Sequence, residues 1–105
     1  MKIAAVQMIS GPEVARNLET AQTLIERAAG EGAQLVALPE YFPMIGAADA
    51  DRLAAREQFG VGPIQDFLRD CALRHRIWLI GGSLPLMADD ARKLRNSCLA
   101  YNPAG

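Results

Sequence analysis

The sequence predicts an α/β fold in which helices cover a sheet. Short apolar runs at residues 3–6, 35–38 and 77–80 have the length and composition of buried strands. Between them lie segments whose apolar residues recur at three- and four-residue spacing, as on the buried face of a helix. Strands that alternate with such helices favour a layered α/β arrangement. At 105 residues, 50% of them hydrophobic, the chain can form one modest domain or part of a larger one.

The first strand is predicted over about residues 2–8, because an apolar run precedes the break at Gly11-Pro12. A helix follows, beginning at Asn17-Leu18 and ending at Gly30, where glycine suits a helix C-terminus. Its apolar face consists of Leu18, Ala21, Leu24, Ile25, Ala28 and Ala29. This spacing makes it the clearest helix in the sequence.

The second strand is predicted at Leu35–Leu38 and stops at Pro39, which has no backbone N–H to donate to a sheet. A short helix is then predicted over about residues 48–58. A stronger helix starts at Gly62-Pro63, because proline suits the first helical position. Its apolar face comprises Ile64, Phe67, Leu68, Cys71 and Ala72.

The third strand is predicted at residues 77–80 and is closed by Gly81-Gly82, packed close to a neighbouring loop. After a polar loop, Asn96–Tyr101 alternates enough to form a last strand, and residues 102–105 resemble a turn. The chain is thus expected to stop inside a hairpin, which is a poor place for a domain boundary.

The charge and hydropathy of the chain disfavour two kinds of partner. Eleven Lys and Arg residues and twelve Asp and Glu residues give a net charge of -1, and no basic block is present to bind a nucleic acid. No apolar run reaches membrane-spanning length, and the run after Lys2 is too short for a signal peptide. A cytoplasmic protein that binds neither nucleic acid nor membrane is therefore expected.

The two cysteines, Cys71 and Cys98, lack the spacing of a zinc site or a disulfide framework. Cys71 falls on the apolar face of a predicted helix, where a thiol packs as a small hydrophobic group. Cys98 lies within a predicted strand, not on the kind of strand-to-helix turn that exposes a nucleophile. His75 stands between Arg74 and Arg76 at the end of a helix, where cations are favourable. Structural roles are expected for all three candidates.

Glu40 is the first candidate for a catalytic residue. It follows an apolar strand and Pro39, where side chains of α/β proteins reach a cleft. Tyr41 and Phe42 come next, so the carboxylate is expected in partly apolar surroundings, which would make it a more capable base. The alternative is a solvated loop glutamate or a helix cap. Tyr41 and Phe42 likewise either line a substrate pocket beside Glu40 or fill the core.

A longer series of motifs accompanies Glu40. The segment Leu35–Phe42, with Pro39-Glu40 between a strand and two aromatic residues, resembles the glutamate motif of the nitrilase superfamily of carbon-nitrogen hydrolases. Six more segments resemble that family in the same order: Lys2–Met8, Asn17-Leu18, Gly62-Pro63, Ile77–Gly82, Asn96-Ser97 and Tyr101–Gly105. The ordered set is more specific than any one motif. Within the superfamily, Pro39–Pro43 and Gly62–Leu68 most resemble the Nit-type amidases.

The resemblance implies a fold and a mechanism. The family fold is an α-β-β-α sandwich, of which residues 1–105 would form the N-terminal part. In this family a cysteine attacks an amide or nitrile carbon, a glutamate transfers protons and a lysine stabilises the oxyanion. Only the glutamate has a matching residue here, Glu40. The lysine would lie just past Gly105 and the cysteine further on, so the domain is expected to be truncated before both.

The function implied is hydrolysis of carbon-nitrogen bonds in small amides, with Glu40 as general base and with no cofactor or metal. Nit-type amidases cleave a terminal amide from small acids. The missing nucleophile favours a rival, a non-catalytic truncated paralogue or a small α/β interaction module. Metal-assisted hydrolysis at Glu40 is a third reading, but no ligand cluster accompanies it. One side of a sandwich would expose an apolar sheet face and an unpaired edge, so a homo-oligomer is expected.

Overall fold

Three parallel strands and one antiparallel strand form the sheet in the computed structural model, which describes residues 1–105. In chain order they are β1 (Ile3–Ala5), β2 (Leu35–Ala37), β3 (Trp78–Met87) and β4 (Leu94–Tyr101). The sheet keeps this order; β1, β2 and β3 are parallel, while β4 runs antiparallel to β3. The α/β class predicted from the sequence is confirmed.

Three helices connect the strands: α1 (Val14–Gly30), α2 (Asp49–Ala55) and α3 (Pro63–His75). α1 begins earlier than predicted, because the carbonyl of Glu13 already accepts the backbone N–H of Asn17. Asn17 therefore lies inside the helix, where its buried Nδ2 donates to the carbonyls of Gly11 and Pro43, both at 2.8 Å. No helix combines the length and hydropathy that a membrane-spanning segment requires.

The strands differ from the prediction in length. β1 ends at Ala5 rather than near residue 8, because β2 ends at Ala37 and only the bond from Val6 N–H to the Ala37 carbonyl continues the pairing. β3 is longer than predicted, because it passes through Gly81-Gly82 and continues to Met87 alongside β4. A β-bulge between Gly81 and Leu84 lets the strand bend without ending.

α1 and α3 pack against each other and against one face of the sheet. Alternation along the strands points Val36 and Leu79 to this face, and both are fully buried. Ile25 of α1 and Leu68 of α3 are fully buried on the helix side of the same core. Each large apolar side chain buried in this way stabilises the fold by about 1.5–3 kcal/mol. The core thus fixes the strands from which the site residues project.

Neither α1 nor α3 covers the opposite face of the sheet. Ile3, Leu35 and Trp78 lie there in register across β1, β2 and β3. Ile3 is 62% exposed and Trp78 is 45% exposed. One side of a two-sheet sandwich presents such an apolar face. The exposed face that the sequence predicted is present, and the self-association expected from it stays a prediction.

α2 is shorter than predicted because the chain after it pairs with β3. Glu57 N–H donates to the Pro85 carbonyl at 3.0 Å, and Met87 N–H donates to the Glu57 carbonyl at 2.8 Å. The buried Glu57 carboxylate accepts the backbone N–H groups of Ile64 and Gln65, at 2.6 and 3.1 Å. These donors belong to the first turn of α3, where negative charge is favourable. Glu57 therefore ties the start of α3 to the sheet.

Candidate active site

Glu40 lies just beyond the C-terminal end of β2. Leu38 N–H still donates to the Ile80 carbonyl of β3 at 2.8 Å, and a turn then runs over residues 40–43. Loops at this end of a parallel sheet carry the functional groups of many α/β proteins. Glu40 is therefore on a strand-end turn and is itself exposed.

β3 holds the backbone of this turn. Tyr41 has a φ of 56°, a left-handed conformation that costs a non-glycine residue about 1 kcal/mol. Its N–H donates to Oγ of the buried Ser83 at 2.9 Å. Phe42 N–H donates to the Pro39 carbonyl at 3.2 Å. Because the Ser83 bond fixes the peptide that follows Glu40, it also fixes the direction in which the Glu40 side chain leaves the turn.

Close packing against β3 also positions the residues that lead into the turn. A Cβ atom added at Gly82 would overlap with the carbonyl oxygens of Leu38 and Pro39. Only glycine lets the backbone that leads into Glu40 approach β3 this closely. The close packing predicted for Gly81-Gly82 is confirmed, whereas the strand end predicted there is wrong.

The Glu40 side chain is exposed to solvent, not enclosed by apolar groups as the sequence suggested. Its side-chain partner is Asn96 on β4, whose Nδ2 donates to Oε1 at 3.3 Å. No Lys, Arg or His nitrogen lies within 4.0 Å of its oxygens, since the ion pairs of the chain all involve other carboxylates. A neutral amide, rather than a cation, is therefore the group that contacts this carboxylate.

The two aromatic residues after Glu40 have different surroundings. Phe42 is fully buried and belongs to the hydrophobic core. Tyr41 is half-buried, and the guanidinium carbon of Arg52 lies 4.1 Å from the centroid of its ring. This cation–π contact joins α2 to the turn. Tyr41 and Arg52 also border a hollow together with Met44. Core packing accounts for the Phe42 ring, and Tyr41 is the aromatic residue of the turn that borders a hollow, which Glu40 itself does not line.

The two thiols differ in environment. Cys71 is buried on α3, and desolvation by burial raises the pKa of its thiol to about 11, against the opposing effect of the Arg74 charge. Cys98 is exposed on β4. Neither thiol forms a hydrogen bond with Glu40, whose side chain accepts its hydrogen bond from the Asn96 amide. A nucleophile paired with Glu40 is thus not found among residues 1–105.

Alkylation by iodoacetamide at about pH 8 should modify Cys98 and leave Cys71 unmodified in the native protein. Only the thiolate reacts, and burial both excludes the reagent from Cys71 and disfavours its thiolate. Peptide mass mapping after a timed reaction measures the occupancy of each site. Unfolding the protein in urea should make both sites reactive. Equal labelling of the two cysteines before unfolding would contradict the buried position of Cys71.

The sheet carries helices on one face and the Glu40 turn at the end of β2. Residues 2–105 match the sequence model of the carbon-nitrogen hydrolase family, and the chain belongs to this family of the nitrilase superfamily, among its Nit-type members. The family and fold that the ordered motifs predicted are confirmed.

Two curated relatives illustrate the match. Omega-amidase NIT2 of Danio rerio is 36% identical over 115 residues, which cover 99% of this chain and 36% of that protein. Deaminated glutathione amidase of Synechocystis sp. is 33% identical over 103 residues, which cover 97% of this chain and 37% of that protein. The chain thus spans a little over a third of the length of these relatives.

Solved structures give the same fold. Nit3 of Saccharomyces cerevisiae, a member of the nitrilase superfamily, superposes with a TM-score of 0.78 at 29% identity, covering 91% of this chain and 37% of that one. An amidase from Nesterenkonia sp. superposes with a TM-score of 0.80 at 26% identity, covering 99% and 39%. The likeness therefore extends over nearly all of residues 1–105.

Proposed function

We propose that residues 1–105 are the N-terminal part of an amidase that hydrolyses carbon-nitrogen bonds, other than peptide bonds, in small amides. The observation that carries the proposal is the position of Glu40, on a turn that β3 and β4 hold at the end of β2. The omega-amidase and deaminated glutathione amidase relatives support small acids with a terminal amide as the substrate class.

In the proposed mechanism Glu40 transfers protons and a cysteine C-terminal to Gly105 is the nucleophile. Glu40 accepts the thiol proton while sulfur bonds to the amide carbon, and a lysine also beyond Gly105 stabilises the oxyanion. Glu40 then returns the proton to the nitrogen as the carbon-nitrogen bond breaks and ammonia leaves. It next accepts a proton from water that attacks the thioester, and returns that proton to sulfur. This sequence needs no metal or organic cofactor.

The residues beside Glu40 have supporting parts in this proposal. Tyr41 forms one wall of the substrate pocket, since its half-buried ring borders a hollow beside the turn. Phe42 supports the same pocket from the core side, where it is fully buried. The full-length protein is proposed to be a cytoplasmic homo-oligomer that acts on a small molecule.

The test is the intact mass of the natural gene product, followed by an ammonia-release assay on that product. The assay uses a small panel of amides: omega-amides of small dicarboxylic acids, a neutral amide of similar size, and a dipeptide as the negative control. A mass well above 11.3 kDa with ammonia released from at least one small amide, and no cleavage of the dipeptide, is expected.

The opposite result identifies the rival function. A product of 11.3 kDa that releases no ammonia would overturn the amidase proposal. It would favour a non-catalytic scaffold, because neither the buried Cys71 nor the strand residue Cys98 is paired with Glu40. Its partners would then be sought among proteins that bind the exposed apolar face of the sheet.

A further inference from the structure

The Glu40 carboxylate and the Asn96 amide meet across the end of the sheet. Asn96 is on β4, two positions before Cys98 and four before Ala100, and all three are exposed, whereas Ser97, Leu99 and Tyr101 are partly buried. This alternation places Asn96 on the sheet face opposite α1 and α3. The Glu40 turn therefore extends to the uncovered side of the sheet, where β4 provides its partner.

The hydrogen bond between Asn96 and Glu40 is suited to orienting the Glu40 carboxylate. Asn96 Nδ2 donates to Oε1 of Glu40 at 3.3 Å, and neither side chain has another side-chain partner. Both residues are exposed, so water competes for the bond and its contribution to the free energy of folding is small. Its consequence is geometric, because one carboxylate oxygen is occupied and the other, Oε2, is left free.

The chemical identity of the partner also matters. An amide nitrogen donates a hydrogen bond without carrying a charge, whereas Lys or Arg at the same place would stabilise the carboxylate and weaken it as a base. The donor is also firmly placed, since Asn96 is paired with Pro85 within the β3–β4 ladder. Ser83, on the same β3 strand, holds the backbone of the turn at 2.9 Å. Two strands thus hold the turn and its carboxylate.

We propose that Asn96 is a positioning residue for Glu40, holding Oε1 so that Oε2 alone exchanges protons with the nucleophile and the substrate. This inference rests on the proposed amidase function for its kinetic consequences. Asn96 does not exchange protons itself, and it acts only through the orientation of the Glu40 carboxylate.

Kinetics of the full-length protein give the first test. Asn96→Ala should lower kcat by about 10-fold with little change in KM, because a hydrogen bond to a charged group is lost while the substrate pocket is unchanged. Cys98→Ala, on the same strand and the same face, is the matched control and should keep the wild-type kcat. Asn96→Ala with the wild-type kcat, or an equal loss in Cys98→Ala, would overturn the proposal.

Substitution by aspartate gives a readout that a purely structural role would not move. Asn96→Asp places a second carboxylate beside Glu40, so the acid limb of the pH–rate profile should shift upward by about one pH unit, as for other paired carboxylates. If the side chain at position 96 did not contact Glu40 in the working enzyme, the variant would leave the limb in place. Thermal unfolding of each variant reports whether the fold is kept.

A third measurement separates this proposal from the proposed function. Protein labelled with carbon-13 at the glutamate carboxyls reports the titration midpoint of Glu40 by NMR, whether or not the protein is active. Asn96→Asp should raise that midpoint and Cys98→Ala should not. A raised midpoint in an inactive protein would support the contact and reject the amidase, while an unmoved midpoint would reject the positioning role even in an active enzyme.

Discussion

Replacing Glu40 by glutamine should lower kcat/KM for amide hydrolysis by about 1,000-fold, within the range of general acid–base catalysis. The amide of Glu40→Gln has nearly the shape of the carboxylate, but it cannot accept the thiol proton or return it to the departing nitrogen. Because Glu40 is exposed and forms no ion pair, the free energy of unfolding should change by less than about 0.5 kcal/mol. Initial rates of ammonia release and thermal unfolding measure the two quantities.

Glu26→Gln is the matched control for this substitution. Glu26 is an exposed glutamate of α1 whose side chain accepts a hydrogen bond only from Gln22, at 3.0 Å. The variant should retain the wild-type rate. If Glu40→Gln kept a rate within about 10-fold of the wild type, Glu40 would not be the general base.

Gly82→Ala should damage both stability and activity. The new methyl group would overlap with the carbonyl oxygens of Leu38 and Pro39, and backbone atoms at a strand end cannot rotate away as a flexible side chain can. A destabilisation of about 3 kcal/mol is expected from this overpacking. Displacement of the turn should also lower kcat by about 100-fold, because small misplacements of a catalytic group have effects of that size. Urea unfolding and ammonia release measure the two effects.

Gly30→Ala is the control for Gly82→Ala. Gly30 is the last residue of α1, and a Cβ added there would meet no atom within 4 Å. Alanine is favoured over glycine in a helix by about 0.5–1 kcal/mol, so this variant should be as stable as the wild type or slightly more stable. Equal urea midpoints for the two variants would show that β3 does not need glycine at position 82.

The sequence predicted the strands and long helices well because their signals are local. Apolar runs and three- and four-residue spacing are read within one segment, and they correctly predicted three strands with α1 and α3 between them. The strand end predicted at Gly81-Gly82 was wrong for the opposite reason. A glycine pair usually marks a turn, but here Gly82 permits the close approach of the Leu38–Pro39 backbone, and that neighbour is known only once the chain is folded.

The candidate site was predicted in part. The place of Glu40 at a strand end follows from the strand and the proline before it, so the sequence was sufficient to predict that place. The contacts of the turn could not be predicted from the sequence. Ser83 lies 42 residues from Tyr41, and Asn96 lies 56 residues from Glu40. Glu57 was missed because a capping residue is sought directly before a helix, where Gly62 stands, whereas Glu57 reaches the first turn of α3 across a loop.

The long separations at the Glu40 turn also have a consequence for folding kinetics. Closing a loop of tens of residues costs chain entropy before any contact compensates for it, so contacts of this kind form later than local ones. Helices such as α1 and α3 form on submicrosecond to microsecond timescales, whereas distant strands must first be brought together. The contact that orients the Glu40 side chain is therefore expected to form late in folding, and a chain in which β4 has not yet paired with β3 lacks that contact.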